Sequence, residues 1–389
     1  MTLAGAAAIA GIGATEFSKD SGRSELRLAA ECVTHALADA GLPASEVDGL
    51  VSFTMDGTAE IALARELGIP ELKFFSRIHY GGGAAAATVQ QAAMAVATGV
   101  ADVVVAYRAF NERSEQRFGR VSAAAATQVN SSGVDNAFHY PMGIATPAAT
   151  VAMVARRYLH DYGATSEDFG RVAVVDRAHA ATNPAAWFHG RPITLAEHQA
   201  SRWIAEPLHL LDCCQESDGG VALVVTSVER ALDLRHAPAV VAAAAQGSGP
   251  DQYVMTSYYR DDLAALPEMG VVGRQLWAQA GLGPSDVDVA VLYDHFTPYV
   301  LMQLEELGFC GRGEAKEFIA GDTLTLEGAL PLNPHGGQLG EAYLHGMNGI
   351  AEAARQIRGT AVNQVREAET VLVTAGTGVP TSGLVLTRH

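Results

Sequence analysis

The sequence has 389 residues, a net charge of −17, and 49% apolar against 18% charged residues. That mixture can bury a large core and argues against disorder. The acidic balance argues against non-specific nucleic-acid binding, which runs on Lys and Arg against phosphate. Lysine is confined to Lys19, Lys73 and Lys316, so nearly all positive charge is arginine. The length suits one large domain or two halves.

In chain order, 6–17 (AAAIAGIGATEF) reads as a buried strand. No basic segment precedes it, so it is not read as a signal peptide. Ser24 to Ala40 is an amphipathic helix with Leu26, Leu28, Ala29, Val33 and Leu37 on its apolar face, and 47–53 is the next strand. Residues 87–99 form a helix stopped by a glycine. The continuous apolar run 101–110 is a strand of a sheet covered on both faces. A long insertion over about 111–210, rich in His, Arg and aromatic residues, is a candidate substrate cover.

The pattern then repeats. AGLPASEVDGLVS (40–52) returns as AGLGPSDVDVAVL (280–292), and the strand 101–110 has a counterpart in AETVLVTAG (368–376) after a helix near 347–358. The glycine-rich helix entry HYGGGAAAATV (79–89) matches LPLNPHGGQLGEAYLHGMNG (330–349). Two α/β halves are expected, 1–235 and 236–389, with glycine-rich turns at the strand ends where open sheets bind ligands. Helix N-termini there offer free N–H groups to anions.

The four cysteines, Cys32, Cys213, Cys214 and Cys310, have no zinc-ribbon spacing. So few in so long a chain suit a reducing compartment. The adjacent pair reads as structural. No apolar run reaches the roughly 20 residues of a membrane span. A soluble cytoplasmic protein is expected.

The duplicated halves, with SDGGVALVVTS (217–227), YDHF (293–296) and NPHGGQLGEAYLHG (333–346), resemble the thiolase superfamily and most of all its lipid-transfer branch. The resemblance implies an α/β thiolase fold, with two βαβαβαββ halves in a five-layer αβαβα arrangement. It also implies a thioester pocket. The family's chemistry is altered, however. The nucleophilic Cys position falls near Tyr80, in a segment with no cysteine. The C-terminal CxG cysteine has become Thr374 or Ala375. Tyr293 opens the YDHF motif, with His295 where Ala or Cys is usual. Tyr343 falls where the family keeps a histidine, and His345 follows.

Thiolysis needs an activated thiolate, so it is not expected. A retro-aldol cleavage of a 3-hydroxyacyl-CoA needs only proton transfers and donors at the thioester oxygen. The expected catalytic residues are Tyr293, Tyr343, His345, His295 and Asp294. Tyr80, His79, Gly336, Gly337 and Asn333 are expected to bind substrate. A Schiff base would need a lysine in these motifs, and none is there. Asp294, His295, His335 and His345 have no familiar metal-ligand spacing, so neither metal nor cofactor is expected; the substrate is carried as a coenzyme A thioester.

The substituted family most resembled comprises the aldolases of steroid side-chain degradation. That resemblance implies a 17-hydroxy steroid acyl-CoA substrate, release of propionyl-CoA and a 17-ketone, and a DUF35-type partner with a zinc ribbon and OB-fold. A homodimer within a heterotetramer is implied too, with the strand 101–110 and the following segment as its interface. The alternatives are a non-catalytic acyl-CoA or sterol-binding scaffold, and a cysteine-independent thiolase.

Overall fold

The computed structural model describes residues 3–79, 81–115, 117–120, 137–252, 260–377 and 381–389. The expected strands and helices form. They are β1 (Ala7–Ala14), α1 (Glu25–Ala40), β2 (Gly49–Phe53), α2 (Glu60–Leu67), β3 (Phe74–Ile78), α3 (Ala85–Ala97) and β4 (Val103–Asn111). Next come α4 (Pro147–Tyr162), α5 (Ser166–Thr182), the short pair β5 (Trp203–Ala205) and β6 (Leu208–His209), β7 (Asp218–Ser227) and β8 (Ala239–Gly247). The chain ends with α6 (Pro267–Ala280), β9 (Val289–Val291), α7 (Thr297–Glu306), α8 (Met347–Arg358), β10 (Thr370–Ala375) and β11 (Thr381–Thr387).

Each boundary has a local cause. The Ser24 hydroxyl accepts the Arg27 N–H to start α1, and Gly41 in the left-handed region ends it. In β4 the side chains alternate between two cores. Val103, Val105 and Tyr107 pack with Leu28, Val33 and Ala36 of α1, while Val104 and Ala106 meet Ala85, Val89 and Ala92 of α3. A strand apolar on both faces must be covered on both, as the sequence implied.

The strands are ordered β3-β2-β4-β7-β1-β8-β11-β10-β9. The halves join edge to edge where β1 pairs with β8, at Ala8 with Val240 and Ile9 with Ala239. The sheet then closes around a central helix layer. Alanine-rich α3 and α8 share one apolar cluster with the inward faces of both halves, including Val221, Leu223, Val371, Val373, Leu384 and Leu386. Helix α1 covers the outer face of the first half. Helices α6 and α7, with α4 from the insertion, cover that of the second. This gives the five layers αβαβα.

One expectation is corrected. Strand β4 cannot present an oligomer interface, because it is paired on both sides, to β2 and β7, and all nine residues are buried. The edge strand of that half is β3, where Phe75 is 66% exposed.

The C-terminal ends of β2 and β4 are tied together by charge. Arg108 of β4 is fully buried and paired with Asp56, which also accepts the Phe53 N–H at 3.1 Å. The guanidinium lies over the Phe110 and Phe53 rings, at 4.3 and 4.9 Å. Burial pushes the Asp56 carboxyl up to about 6, partly offset by Arg108. Arg108→Ala is predicted to cost about 3–5 kcal/mol in chemical denaturation, because it strands Asp56 in the core. Adding Asp56→Asn should recover part of that loss.

Candidate active site

A cavity of 510 Å³ opens at the carboxyl ends of the parallel strands. That size falls within the roughly 300–1,000 Å³ that encloses small-molecule ligands. Its wall draws on the segments following β2 (Met55), β4 (Glu112, Arg117, Phe118), β9 (Tyr293, His295, Phe296) and β10 (Gly376, Thr377). Gly81 and Gly82, before α3, and Tyr343 and His345, before α8, complete its deep end.

Tyr293 is fixed by its backbone. Its N–H donates to Thr374 Oγ1 at 2.9 Å, and its carbonyl accepts Gln303 Nε2 at 2.9 Å. Thr374 in turn donates to Gln303 Oε1 at 2.6 Å. Thr374, one of the two residues where the CxG cysteine would fall, therefore braces Tyr293. Tyr343 sits in a segment whose neighbours Ala342 and Leu344 point into the central core, which turns Tyr343 and His345 toward the cavity. Its N–H donates to Ser217 Oγ at 3.1 Å.

The two phenol oxygens lie 3.1 Å apart. Burial raises both well above the ordinary tyrosine value, and the Glu112 and Cys214 groups act the same way. Both phenols are therefore neutral near pH 7. The space above Tyr293 exists because residue 82 is glycine. A Cβ there would lie 1.8 Å from the Tyr293 hydroxyl.

His345, at φ 53°, has its ring among Phe53, Phe110 and Phe118, and its centroid is 4.7 Å from that of Tyr343. Burial first, then Arg108 and His295, hold it well below the usual imidazole value. His295 is stacked on Tyr299 and tilted against Tyr293 at 4.8 Å, and burial takes it down to about 3. Both are neutral imidazoles beside the tyrosine pair.

Other expected site residues have different positions. Asp294 does not line the cavity. Its carboxylate accepts the N–H groups of Gln338 at 2.9 Å and Leu339 at 3.0 Å, and it lies near Asp176, whose carboxyl burial and Asp294 push well above its ordinary value. It caps the turn Gly337–Gly340, a structural rather than a catalytic position. Gly336 gives its N–H to Asn333 at 2.7 Å, so that group does not meet a thioester. Gly337 is tight against Asp294, whose Oδ2 would lie 2.2 Å from an added Cβ. Asn333 is fully buried behind this turn, near Asp176. His335 is buried near Glu341, outside the cavity. His79 is exposed beside Thr54, outside the wall. Tyr80 lies outside the described residues.

Cys213 and Cys214 were read as structural, yet both line the cavity. The insertion and the start of β7 deliver them, with Glu112 and Glu216, from parts of the chain carrying no recognisable motif. Burial pushes both thiols up, so neither is a ready thiolate. Lys19 stands behind the wall, donating to Gln215 Oε1 at 3.0 Å and the Glu216 carbonyl at 2.6 Å, and burial brings it down to about 8. Among the described residues, no three His, Cys, Asp or Glu converge as a metal set. No described helix is long and apolar enough to cross a membrane.

The layered fold and this strand-end cavity define a thiolase-type protein, and the chain belongs to the thiolase superfamily. The N-terminal thiolase domain matches residues 7–229 and the thiolase C-terminal domain-like family matches 251–387. The chain is 70% identical to the 17-hydroxy-3-oxo-4-pregnene-20-carboxyl-CoA lyase of Mycobacterium tuberculosis, over 99% of this chain and 100% of that one. It is 69% identical to the steroid side-chain-cleaving aldolase of Thermomonospora curvata, over 99% and 98%. A solved Ltp2-ChsH2(DUF35) aldolase superposes with a TM-score of 0.96 at 68% identity, covering 100% of this chain and 99% of that one.

Gly82→Ala should displace the Tyr293 hydroxyl and lower turnover about 10²-fold or more, since a misplacement of about 1 Å carries that scale of loss. Single-turnover rates, with a melting curve as the folding control, check this.

Proposed function

We propose that the protein is a lyase that cleaves a 17-hydroxy steroid acyl-CoA by retro-aldol chemistry, releasing a 17-ketosteroid and propionyl-CoA in steroid side-chain degradation. The observation that carries the reading is the pair of neutral phenols in hydrogen-bond contact at the deep end of the cavity. The lyase and aldolase relatives, matched over almost their whole length, support the substrate class.

The reaction is redox-neutral and needs no net proton. The 3-hydroxyl gives its proton to the phenol that faces it, and the O–H electron pair becomes the new carbonyl π bond. The C2–C3 bond breaks, and its electron pair moves into the thioester as an enolate. C2 then takes a proton from the second phenol. The 3.1 Å hydrogen bond lets the first phenol pass its own proton across as it accepts the new one. Both residues end neutral, so neither has to rest as a phenolate, which their burial disfavours. Proton transfer by placed groups contributes about 10²–10⁴-fold. His295 and His345, neutral and in ring contact with the tyrosines, hold the phenols in place. No cofactor is required; coenzyme A arrives as part of the substrate.

A DUF35-type companion and a homodimer within a heterotetramer complete the proposal. The first is supported by the Ltp2-ChsH2(DUF35) neighbour. The second fits the exposed edge β3, with Phe75 available for pairing.

Co-expression with the DUF35-type protein and incubation with the 17-hydroxy steroid CoA ester should yield equal amounts of ketone and propionyl-CoA. Tyr293→Phe and Tyr343→Phe should each lower kcat about 10²–10⁴-fold and leave thioester binding nearly unchanged. Full activity in both variants would remove the proton relay. Saturable binding without turnover would instead favour a non-catalytic scaffold.

A further inference from the structure

Glu112 follows β4 and lines the cavity, yet is only 2% exposed. Its Oε2 atom has no hydrogen-bond partner among the described residues. The backbone N–H of Ser217 acts on the carboxyl group in the direction that favours its charged form. The segment is firmly held, because Asp218 Oδ1 accepts the N–H groups of Arg113 at 2.8 Å and Ser114 at 3.0 Å. A carboxyl group held in a cavity wall with one oxygen buried and unpaired is costly to keep charged, which favours its neutral acid form.

The groups around Glu112 set its protonation. Glu216, itself bound to Arg117 and to the Gly119 N–H, repels its charge. Arg108 and Lys19 attract it. Cys214, Tyr293 and Tyr343 sense it from the cavity side. Burial is the largest influence and raises the carboxyl well above its ordinary value. A neutral carboxylic acid offers one O–H donor, which an ionised one cannot.

Retro-aldol cleavage puts negative charge on the thioester oxygen, one carbon removed from the C2 that Tyr293 or Tyr343 protonates. The donor for that oxygen must therefore sit at the tyrosine end of the cavity. The geometry points to Glu112 as that donor: its carboxylic acid gives a hydrogen bond to the thioester oxygen, holding the enolate without transferring the proton. This assignment rests on the lyase reading. It makes Glu112 a third catalytic residue, one with no counterpart in the glycine-rich motifs.

The test compares native protein, Glu112→Gln and Glu112→Ala, each with its DUF35-type companion, by three measurements. Turnover of the 17-hydroxy CoA ester should fall about 10²-fold in Glu112→Ala, the scale of losing one oxyanion donor. It should stay within about 10-fold of native in Glu112→Gln, whose amide still donates. The native pH profile should fall on the alkaline side through one ionisation that the Glu112→Gln profile lacks, because rising pH removes the donor. The infrared carbonyl stretch of a bound thioester lacking the 3-hydroxyl should be red-shifted in native and Glu112→Gln protein, and not in Glu112→Ala. This last readout needs no turnover and tests the contact even if a variant is slow. Native activity in Glu112→Ala, or a Glu112→Gln as inactive and unshifted as Glu112→Ala, overturns the assignment. A native complex that does not cleave the ester overturns the lyase reading and the assignment with it.

Discussion

The hydroxyls of Tyr293 and Tyr343 meet at 3.1 Å beneath a residue that has no side chain. Much of the second half is arranged to hold that contact. The Tyr293 backbone is clamped by Thr374 and Gln303, and Tyr343 by Ser217. Gly82 leaves the volume that the Tyr293 phenol fills. The fold places these groups together because strand ends from both halves converge on the head of α3. A side chain at residue 82 and the Tyr293 phenol exclude each other sterically.

The protonation states of the cavity share one cause. Burial keeps the tyrosines protonated, the histidines unprotonated and the two thiols intact. It also pushes Glu112 toward its neutral acid form. A deep end lined by neutral donors and acceptors suits a reaction that shifts protons internally and changes no net charge. Nearby charges are held by partners of their own. Arg108 is spent on Asp56, Arg117 on Glu216, and Lys19 on Gln215 and the Glu216 carbonyl.

The sequence made the layered α/β fold legible because the continuous apolar run of β4 and the glycine that stops the helix at 87–99 are local signals. The tyrosine pair was legible because the YDHF and glycine-rich motifs keep their spacing while their residue types change. Asp294, Asn333, Gly336 and Gly337 lie in the same motifs, but they build the turn behind the site. A motif reports which residues act together and not which of them face the cavity. Glu112, Cys213 and Cys214 were missed because their approach to the tyrosines depends on tertiary folding. No local pattern marks a side chain brought to a cavity by the end of β4 or by the insertion. The apolar run 101–110 was read correctly as covered on both faces; the interface that the resemblance placed on it fails because the strand is paired on both sides within the chain.

The relay itself is tested most directly by a proton inventory of the single-turnover cleavage step in mixtures of light and heavy water. Three protons moving together, from the hydroxyl, between the phenols and to C2, predict a rate that curves downward with deuterium fraction, and a Tyr→Phe variant should lose the curvature. A linear dependence in the native protein would mean that one proton moves in the rate-limiting step, and it would contradict a concerted transfer through the pair.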